Sequence, residues 1–399
     1  MANYLYYLLL ILLWSSTSSE SISQNQSSVF IDSTVKKKIT IESDTIWVSC
    51  VGDLMSHGAQ LIDAKKGNGY DFNHMFSAIT PFTSFADLTL GNFETVTAGA
   101  ENGFTGYPAF NTPVEFAEAI KEAGFDVFTT ANNHCLDRGF LGIERTISAL
   151  NNLNVYQTGT FSTESESEKI LIVEVKNIKL AILAYTYGTN GINPPSGKSW
   201  SVNYINSSNM KRDVESAKSL GADKIIACVH WGDEYQRTPN QKQISVANEL
   251  FGYGVDIIFG SHPHVIQPME TKTVLDDQGK QKKVFIIWSM GNFISNQRKR
   301  YTDSGVIINI CLVKNLITEE TKIDKIDYIP TYVSNLNGFS ILPVYESIKS
   351  IEENDKESPF YSPSNFSRLK EVYIETTSHL TNEKEGIYPF EGILNLNQK

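Results

Sequence analysis

The sequence lacks the features that mark disulfide scaffolds, membrane-spanning proteins and nucleic-acid-binding proteins. It has four cysteines in 399 residues, without paired spacing, and three of them lie in apolar strand-like runs, so we expect no structural disulfide. The apolar run Tyr4–Trp14 is eleven residues long, which is short for a membrane span. The formal net charge of −11 argues against nonspecific nucleic-acid binding, and it would repel a polyanion unless cations intervene.

The N-terminal segment also lacks basic residues, since no Lys or Arg precedes Lys36. The positive start that is usual in a secretory signal is therefore missing, although the length of the apolar run suits the core of such a signal. We expect residues 1–20 to be a signal peptide or an N-terminal anchor and residues 21–44 to be a polar tether. A periplasmic, cell-surface or membrane-anchored location would follow, whereas a buried core segment is the alternative interpretation.

Apolar strand segments alternate with helical segments between residues 45 and 335, in a composition of 41% hydrophobic and 20% charged residues that is typical of a globular chain. Strands are expected at 45–53, 170–175 and 180–185, and in the runs DKIIACVHWG, VDIIFGSHPH and KVFIIWSMGNF. Helices are expected from a capping box at Thr112 and Glu115, from the spacing of Phe140, Ile143, Ile147 and Leu150, and from a capping box at Thr238 and Gln241. The alternation predicts an α/β domain with a largely buried sheet. Residues 306–332 are richer in strand signals, and residues 336–399 are expected to pack on the domain as a C-terminal extension.

Polar side chains recur where the apolar strands end, which is the edge at which open α/β sheets bind ligands. The residues placed in this way are Asp53, Asn92, Glu94, Asn133, His134, His230, His262, His264 and Asn292. Each one has an ordinary explanation, such as a helix cap, a turn or a core histidine, but five strand ends together favour one metal site. Nitrogen and oxygen ligands without thiolate suit Mn, Fe or Zn. We therefore expect one or two divalent ions, with one carboxylate shared if there are two.

A sharp corner in the run "GSHPH" carries His262 and His264 one residue apart, with a proline between them. Proline and the preceding Gly-Ser pair indicate a turn rather than the interior of a strand or helix. The two imidazoles are expected to point toward one place, either as ligands of two adjacent ions or both near a single ion.

Six motifs carry a family resemblance: GDLM, NFET, TTANNHCLDRG, VHWGDEY, GSHPHVIQP and WSMGNF occur in the order found in CapA-type poly-gamma-glutamate capsule-synthesis proteins. That family resembles the calcineurin-like metallophosphoesterases, and the similarity runs from Ile46 to Tyr332. The resemblance implies a four-layer α/β/β/α sandwich with its site at the strand ends. It also implies a connection with an anionic polymer such as poly-gamma-glutamate, and with membrane-bound capsule synthesis machinery.

The resemblance further implies roles for individual residues. The residues matching the first metal site are Asp53, Glu94 and His264, and those matching the second are Asn133, His230 and His262, with Glu94 bridging. His134 corresponds to the residue that protonates the leaving group. Two departures stand out, because Met55 replaces the histidine of the aspartate-X-histidine motif and Glu94 replaces a bridging aspartate. His57 is an alternative source of the missing nitrogen ligand.

The chemistry expected of such a site is hydrolysis, with His134 or Glu234 as the proton donor to the leaving group and Asp137 orienting His134. The candidates for substrate binding are Asn92, Trp231, Gln267, Asn292 and Arg298. Arg298 begins the run Arg298–Arg300, which is the only basic cluster near the expected site, although such runs are usually solvated surface. Two functions stay open: an extracytoplasmic metal-dependent hydrolase acting on an amide or phosphoester, and a non-catalytic subunit for assembly or export of the polymer.

Overall fold

The computed structural model describes residues 42–276, 279–353, 357–381 and 387–390. The predicted signal segment, and the predicted tether up to residue 41, lie outside these residues. Within the described ranges, none of the helices combines the length and the apolar character needed to cross a bilayer.

The described strands form two large sheets and one short hairpin. In chain order the strands are β1 (Ser43–Leu54), β2 (Lys65–Lys66), β3 (Gly69–Tyr70), β4 (Leu88–Phe93), β5 (Val127–Thr129), β6 (Tyr156–Thr158), β7 (Leu171–Val175), β8 (Ile178–Thr186), β9 (Lys224–His230), β10 (Ile257–Ser261), β11 (Met269–Leu275), β12 (Gln281–Ile287), β13 (Asn292–Ile294), β14 (Ser304–Asn315), β15 (Thr321–Ser334), β16 (Ser340–Pro343) and β17 (Tyr388–Pro389). The first sheet has the order β16-β15-β14-β1-β4-β5-β6, with β13 beside β1 and β17 beside β15. The second sheet has the order β11-β12-β10-β9-β8-β7.

The helices lie between the strands in sequence and cover the outer faces of the two sheets. They are α1 (Gly58–Asp63), α2 (Asn73–Phe76), α3 (Thr80–Thr83), α4 (Val114–Glu122), α5 (Gly139–Asn152), α6 (Glu164–Ser167), α7 (Ser207–Ser219), α8 (Gln241–Tyr253), α9 (Val344–Glu353) and α10 (Pro363–Leu380), with short 3-10 turns at Ala100–Asn102 and Ser199–Ser201.

Alternation along the strands separates the cores of the protein. In β9, Ile226 and Cys228 pack into the core between the two sheets, whereas Ala227 and Val229 pack on the opposite side with apolar residues of α7 and α8. In the first sheet, Val48 of β1 joins the core between the sheets, while other residues of that sheet pack with helices on its outer face. The layers therefore follow the order helix, sheet, sheet, helix, and the predicted four-layer α/β/β/α sandwich is confirmed.

The predicted helix periodicity is confirmed in α5, which buries Phe140, Ile143, Ile147 and Leu150. Both predicted capping boxes are wrong, because one lies two residues further on and the other is absent. Helix α8 starts after Asn240, whose side chain accepts the Gln243 N–H at 2.9 Å while Gln243 Oε1 accepts the Asn240 N–H. Helix α4 has Pro113 at its N-cap, and the hydroxyl of Thr112 instead forms a hydrogen bond with that of Thr95.

The described part of the chain beyond residue 335 extends the first sheet and adds a pair of helices. Strand β16 pairs with β15 in antiparallel fashion, and β17 pairs with β15 on another stretch. Helix α10 is tied to the domain through Arg368, which donates to both carboxylate oxygens of Asp303 at 2.9 and 2.8 Å. These bonds fix the loop between β13 and β14, which lies close to the site described next.

Candidate metal centre

The carboxyl ends of the strands bring polar side chains together from both sheets. In the first sheet, Asp53 near the end of β1 stands opposite Asn92 of β4 and Asn292 of β13. In the second sheet, His230 at the end of β9 stands opposite Ser261 at the end of β10. The predicted convergence of strand-end side chains thus has a direct basis in the strand register.

Backbone contacts through the segment that follows β12 join the two sheets at this point. Met290 donates its N–H to the carbonyl of Gly260 at 3.0 Å, and Asp53 donates its N–H to the carbonyl of Gly291 at 3.0 Å. A Cβ on Gly260 would collide with the Trp288 carbonyl. This close approach therefore requires glycine, and it draws the ends of β1 and β10 together.

The His-Pro-His corner adopts a backbone conformation that is rare for residues with side chains. His262 has φ 96° and His264 has φ 59°, both in the left-handed region that favours glycine. The carbonyl of Pro263 accepts the Tyr235 N–H at 2.8 Å, and the two imidazole centroids lie 5.8 Å apart. Such strain persists only where surrounding contacts enforce it, and here it directs each imidazole to a different group of carboxylates and histidines.

The first group consists of Asp53, Glu94 and His264, all buried. His264 Nδ1 lies 3.0 Å from Asp53 Oδ2 and 3.0 Å from Asn292 Oδ1, so this nitrogen carries the hydrogen. The other ring nitrogen, Nε2, lies 3.9 Å from Glu94 Oε1. Asn92 donates to Asp53 Oδ1 at 2.8 Å and thereby fixes the carboxylate.

The second group consists of Glu94, His230 and His262, which are also buried. His230 Nε2 lies 3.8 Å from Glu94 Oε1 and 2.8 Å from Asn133 Oδ1. His230 Nδ1 lies 3.0 Å from the hydroxyl of Ser261. Because Glu94 belongs to both groups, Asp53, Glu94, His230, His262 and His264 form one unit, which we call the His–carboxylate cluster.

The side chains of the cluster fit one or two divalent cations. In each group the possible ligand atoms lie within 4.8 Å of one another. Glu94 Oε1 and His262 Nδ1 are buried and have no hydrogen-bond partner among the described residues. Buried polar atoms are nearly always paired, so two unpaired atoms facing one cluster need an explanation, and a cation supplies it. The donors are imidazole nitrogen and carboxylate oxygen, which suit Mn, Fe or Zn.

Burial and mutual charge shift the pKa values of the cluster in opposite directions. Burial, followed by the charge of Asp53, raises the pKa of Glu94 well above its usual range. Burial alone would raise the pKa of Asp53, but the hydrogen bond and charge of His264 outweigh it, so that this pKa is lowered. Burial, and then the neighbouring His264, lowers the pKa of His262 to about 3. The imidazole of His262 is thus neutral at pH 7, which is the form that binds metal.

A second histidine–carboxylate pair, His134 and Asp137, lies beside the cluster. His134 Nδ1 donates to Asp137 Oδ2 at 2.8 Å, and the same oxygen accepts the Phe110 N–H at 2.6 Å. The residue before His134 in the chain, Asn133, has its Oδ1 2.8 Å from His230 Nε2, which places His134 beside the second group. With Nδ1 engaged, Nε2 is the ring nitrogen left to exchange a proton with a ligand.

Four other predicted site residues lie at or near the cluster. Asn92 and Asn292 hydrogen-bond Asp53 and His264 respectively, so both act as supports of possible metal ligands. Asn133 contacts His230, as stated above. Glu234 is exposed, and its charge contributes to the raised pKa of Glu94, so it faces the same region.

Three predicted substrate-binding residues are engaged in other contacts. Trp231 is 2% exposed, stacks on Trp288 and donates its indole N–H to the carbonyl of Trp288 at 3.0 Å. Gln267 is fully buried, where it accepts from Gln243 and donates to two backbone carbonyls. Arg298 donates to the carbonyl of Val333 at 2.8 Å. The structure does not bring these side chains to the cluster.

His57, the alternative ligand, lies outside both groups. Its Nδ1 accepts the Asn296 N–H at 3.3 Å, and burial lowers its pKa to about 4. Met55, at the position of the missing histidine, is buried. Among the described residues, His264 is therefore the histidine grouped with Asp53 and Glu94.

Tyr187 is a site residue that the sequence reasoning missed. Its ring centroid lies 4.5 Å from that of His262, its N–H donates to the carbonyl of His230 at 3.0 Å, and its side chain is 47% exposed. Tyr187 directly follows β8, so the strand-end rule that selected the histidines would have selected it as well.

The family model and the similar proteins that match this chain all indicate the same family. Residues 47–297 match the family model described as "Bacterial capsule synthesis protein PGA_cap". The PGA biosynthesis protein CapA of Bacillus subtilis is 28% identical over 286 residues, which cover 69% of this chain and 70% of that protein. The capsule biosynthesis protein CapA of Bacillus anthracis is 27% identical over 284 residues, covering 69% of this chain and 66% of that protein.

Among solved structures, a putative 5'-nucleotidase from Staphylococcus aureus aligns with a TM-score of 0.44 at 15% identity, over 83% of this chain and 58% of its own. At that similarity, the assignment of the fold rests on the layers and strand order described above. The match to the family model covers more than half of the chain, and it confirms the resemblance seen in the six sequence motifs. This chain belongs to the PGA_cap family of bacterial capsule synthesis proteins.

Proposed function

We propose that this protein is a metal-dependent hydrolase that cleaves amide bonds in a carboxylate-rich polymer of the polyglutamate type. The observation that carries the proposal is the His–carboxylate cluster, in which two groups of ligands share the buried, unpaired Glu94 Oε1. The pair His134–Asp137 beside it supplies the second element that hydrolysis needs, which is a proton donor for the leaving group.

A divalent ion held by Asp53, Glu94 and His264, by Glu94, His230 and His262, or by both groups would polarise a scissile carbonyl or phosphoryl oxygen and make water more acidic. The protein's own residues do the remaining work. Asp137 holds His134 in the tautomer with hydrogen on Nδ1, so that Nε2 faces the ligand. Protonated at Nε2, His134 gives a proton to the departing amine. Glu234 is the second candidate for that transfer.

The polymer and the location extend the same proposal. The names of the relatives in Bacillus refer to PGA and capsule biosynthesis, which supports a carboxylate-rich polymer as the substrate. The apolar run Tyr4–Trp14 supports export, with action in the periplasm, at the cell surface or on a membrane anchor. There the protein would work next to membrane-bound capsule synthesis machinery.

A second function is favoured by the same relatives' names, because they describe biosynthesis rather than degradation. In that case the protein is a non-catalytic subunit for assembly or export, and the cation holds carboxylates of the polymer without cleaving it. Both functions need the cluster, but only hydrolysis needs a proton donor at His134.

The substitution His134→Gln separates the two functions. The protein is loaded with Mn, Fe or Zn and incubated with a γ-linked glutamate oligomer, and new amino groups are counted. Loss of a general acid typically lowers turnover by about 100-fold or more, and we expect that loss with metal content unchanged. His74→Gln is the matched control, because His74 forms a similar bond to Asp63, at 2.9 Å, in a more exposed position.

Cleavage by the parent and by His74→Gln, but not by His134→Gln, supports hydrolysis. A parent protein that binds metal and the oligomer but releases no amino groups supports the assembly role instead. If the parent cleaves a phosphodiester probe but not the oligomer, the protein is a hydrolase but its substrate is a phosphoester.

A further inference from the structure

The three cations of the run Arg298–Arg300 differ in their partners. Arg298 donates to the carbonyl of Val333, and Arg300 forms an ion pair with Glu375 at 2.7 Å. Lys299 forms neither a hydrogen bond through its ammonium group nor an ion pair with any residue that the structure describes. Its Nζ lies 3.7 Å from the centroid of the Tyr235 ring, in an exposed position. Lys299 is thus the one cation of the run whose charged group has no hydrogen-bond or ion-pair partner among the described residues.

Tyr235 connects this ammonium group to the His–carboxylate cluster. Its N–H donates to the carbonyl of Pro263, between the two histidines of the corner, and its φ is 66°. Its ring centroid lies 6.2 Å from that of His264. The same ring therefore contacts Lys299 and neighbours a possible metal ligand.

The loop that carries Lys299 is held from several sides. The carbonyl of Thr302 accepts from Asn292 Nδ2 at 2.8 Å, which ties the loop to the cluster. Arg300 binds Glu375 of α10, and the bonds from Arg368 of α10 hold Asp303. The backbone of the loop is therefore held in place before any ligand arrives, and a pre-placed loop loses less entropy on binding.

We propose that Lys299, lying on the ring of Tyr235, is a subsite for a carboxylate of the substrate next to the bond held at the cluster. This inference rests on the proposed function, and it adds a residue that binds the negatively charged carboxylates of the polymer. In a γ-linked glutamate chain, the carbon attached to each amide nitrogen also bears a carboxylate, so every amide has an anion a few atoms away. A protein of net charge −11 needs a local cation to accept such a chain. The compact ammonium group on a long, flexible side chain suits a carboxylate whose position differs from one cleaved bond to the next.

The test compares Lys299→Gln with the parent, each also carrying His134→Gln so that the oligomer is not cleaved, in binding of a short γ-linked glutamate oligomer to metal-loaded protein, measured by calorimetry. An exposed charge pair contributes modestly, and we expect the dissociation constant to rise about fivefold. Lys299→Arg should restore most of the affinity, because the charge is kept. An oligomer with its carboxylates converted to amides should bind the parent and Lys299→Gln equally.

Lys322→Gln is the control for net charge. Lys322 of β15 pairs with Val313 of β14, and Val313 pairs with Thr45 near the start of β1. Lys322 therefore lies far from the cluster, which is at the other end of β1. Equal weakening by Lys299→Gln and Lys322→Gln, or no weakening by either, would overturn the subsite while leaving the proposed function intact. A parent protein that binds metal but not the oligomer would overturn the proposed substrate, and the subsite with it.

Discussion

Replacing Glu94 by glutamine tests the central claim about the cluster, because this one side chain belongs to both groups of ligands. An amide is similar in shape to a carboxyl but cannot supply a negative charge. If the two groups hold cations, Glu94→Gln should weaken binding at both. Asp53→Asn and His262→Gln should each weaken only one, since each residue belongs to a single group.

The size of the effect follows from linkage. Metal at a free concentration 100 times its dissociation constant stabilises a protein that binds it only when folded by about 2.7 kcal/mol. The parent should gain about that much, and Glu94→Gln should gain close to nothing. Without metal, the two proteins should be similarly stable, because the raised pKa of Glu94 means that the fold already favours an uncharged group there.

The measurement is the free energy of unfolding in urea, with and without Mn or Zn, together with elemental analysis of the folded protein. Asp213→Asn is the matched control, because Asp213 is a buried carboxylate outside the cluster and accepts the Tyr185 hydroxyl at 3.0 Å. It should lower stability without changing the gain on adding metal. If Glu94→Gln keeps both the stoichiometry and the metal-dependent gain of the parent, the cluster is not the metal site.

Three further outcomes are expected. His57→Gln should leave the metal content unchanged by elemental analysis, because His57 lies outside both groups. Metal affinity should fall as the pH is lowered, since the raised pKa of Glu94 means that a proton must leave before this carboxylate can bind, and calorimetry in buffers of different ionisation enthalpy measures the proton released. Gly260→Ala should cost about 3 kcal/mol of stability in urea unfolding, because the new methyl group meets the Trp288 carbonyl. Gly252→Ala, with open space around it, is its control.

Much of the fold could be predicted because its strands follow simple patterns. Successive side chains of the fully buried β9 join the core between the sheets and the core under the helices in turn, and apolar spacing identified α5. The capping boxes were misplaced because the Thr112 hydroxyl bonds Thr95 and because Asn240, two residues beyond Thr238, caps α8 instead. Only the folded loops decide which residue caps the helix. Residue propensity limits which side chains can cap a helix, and the tertiary contacts of those side chains decide which one does.

The site was harder to predict because a strand end fixes the place of a residue but not the direction of its side chain. His230 faces the cluster, and by the same alternation the next residue, Trp231, faces the core beneath α7 and α8. The two-residue alternation of side chains along a strand would therefore have excluded Trp231 from the predicted site. No such rule separates Arg298 from Lys299, because their partners Val333 and Tyr235 come from distant parts of the chain.

Several features that oppose folding lie at the cluster. Two histidines adopt left-handed backbone angles, the carboxyl of Glu94 is buried with an unpaired oxygen, and Gly260 interrupts a buried strand. Such conflicts persist when something other than stability requires them. A bound cation would satisfy the unpaired polar atoms together, by pairing Glu94 Oε1 and by binding the neutral imidazoles. The conflict therefore argues for a ligand site independently of any relative, since a cluster kept only for packing would be replaced by apolar residues at a gain in stability.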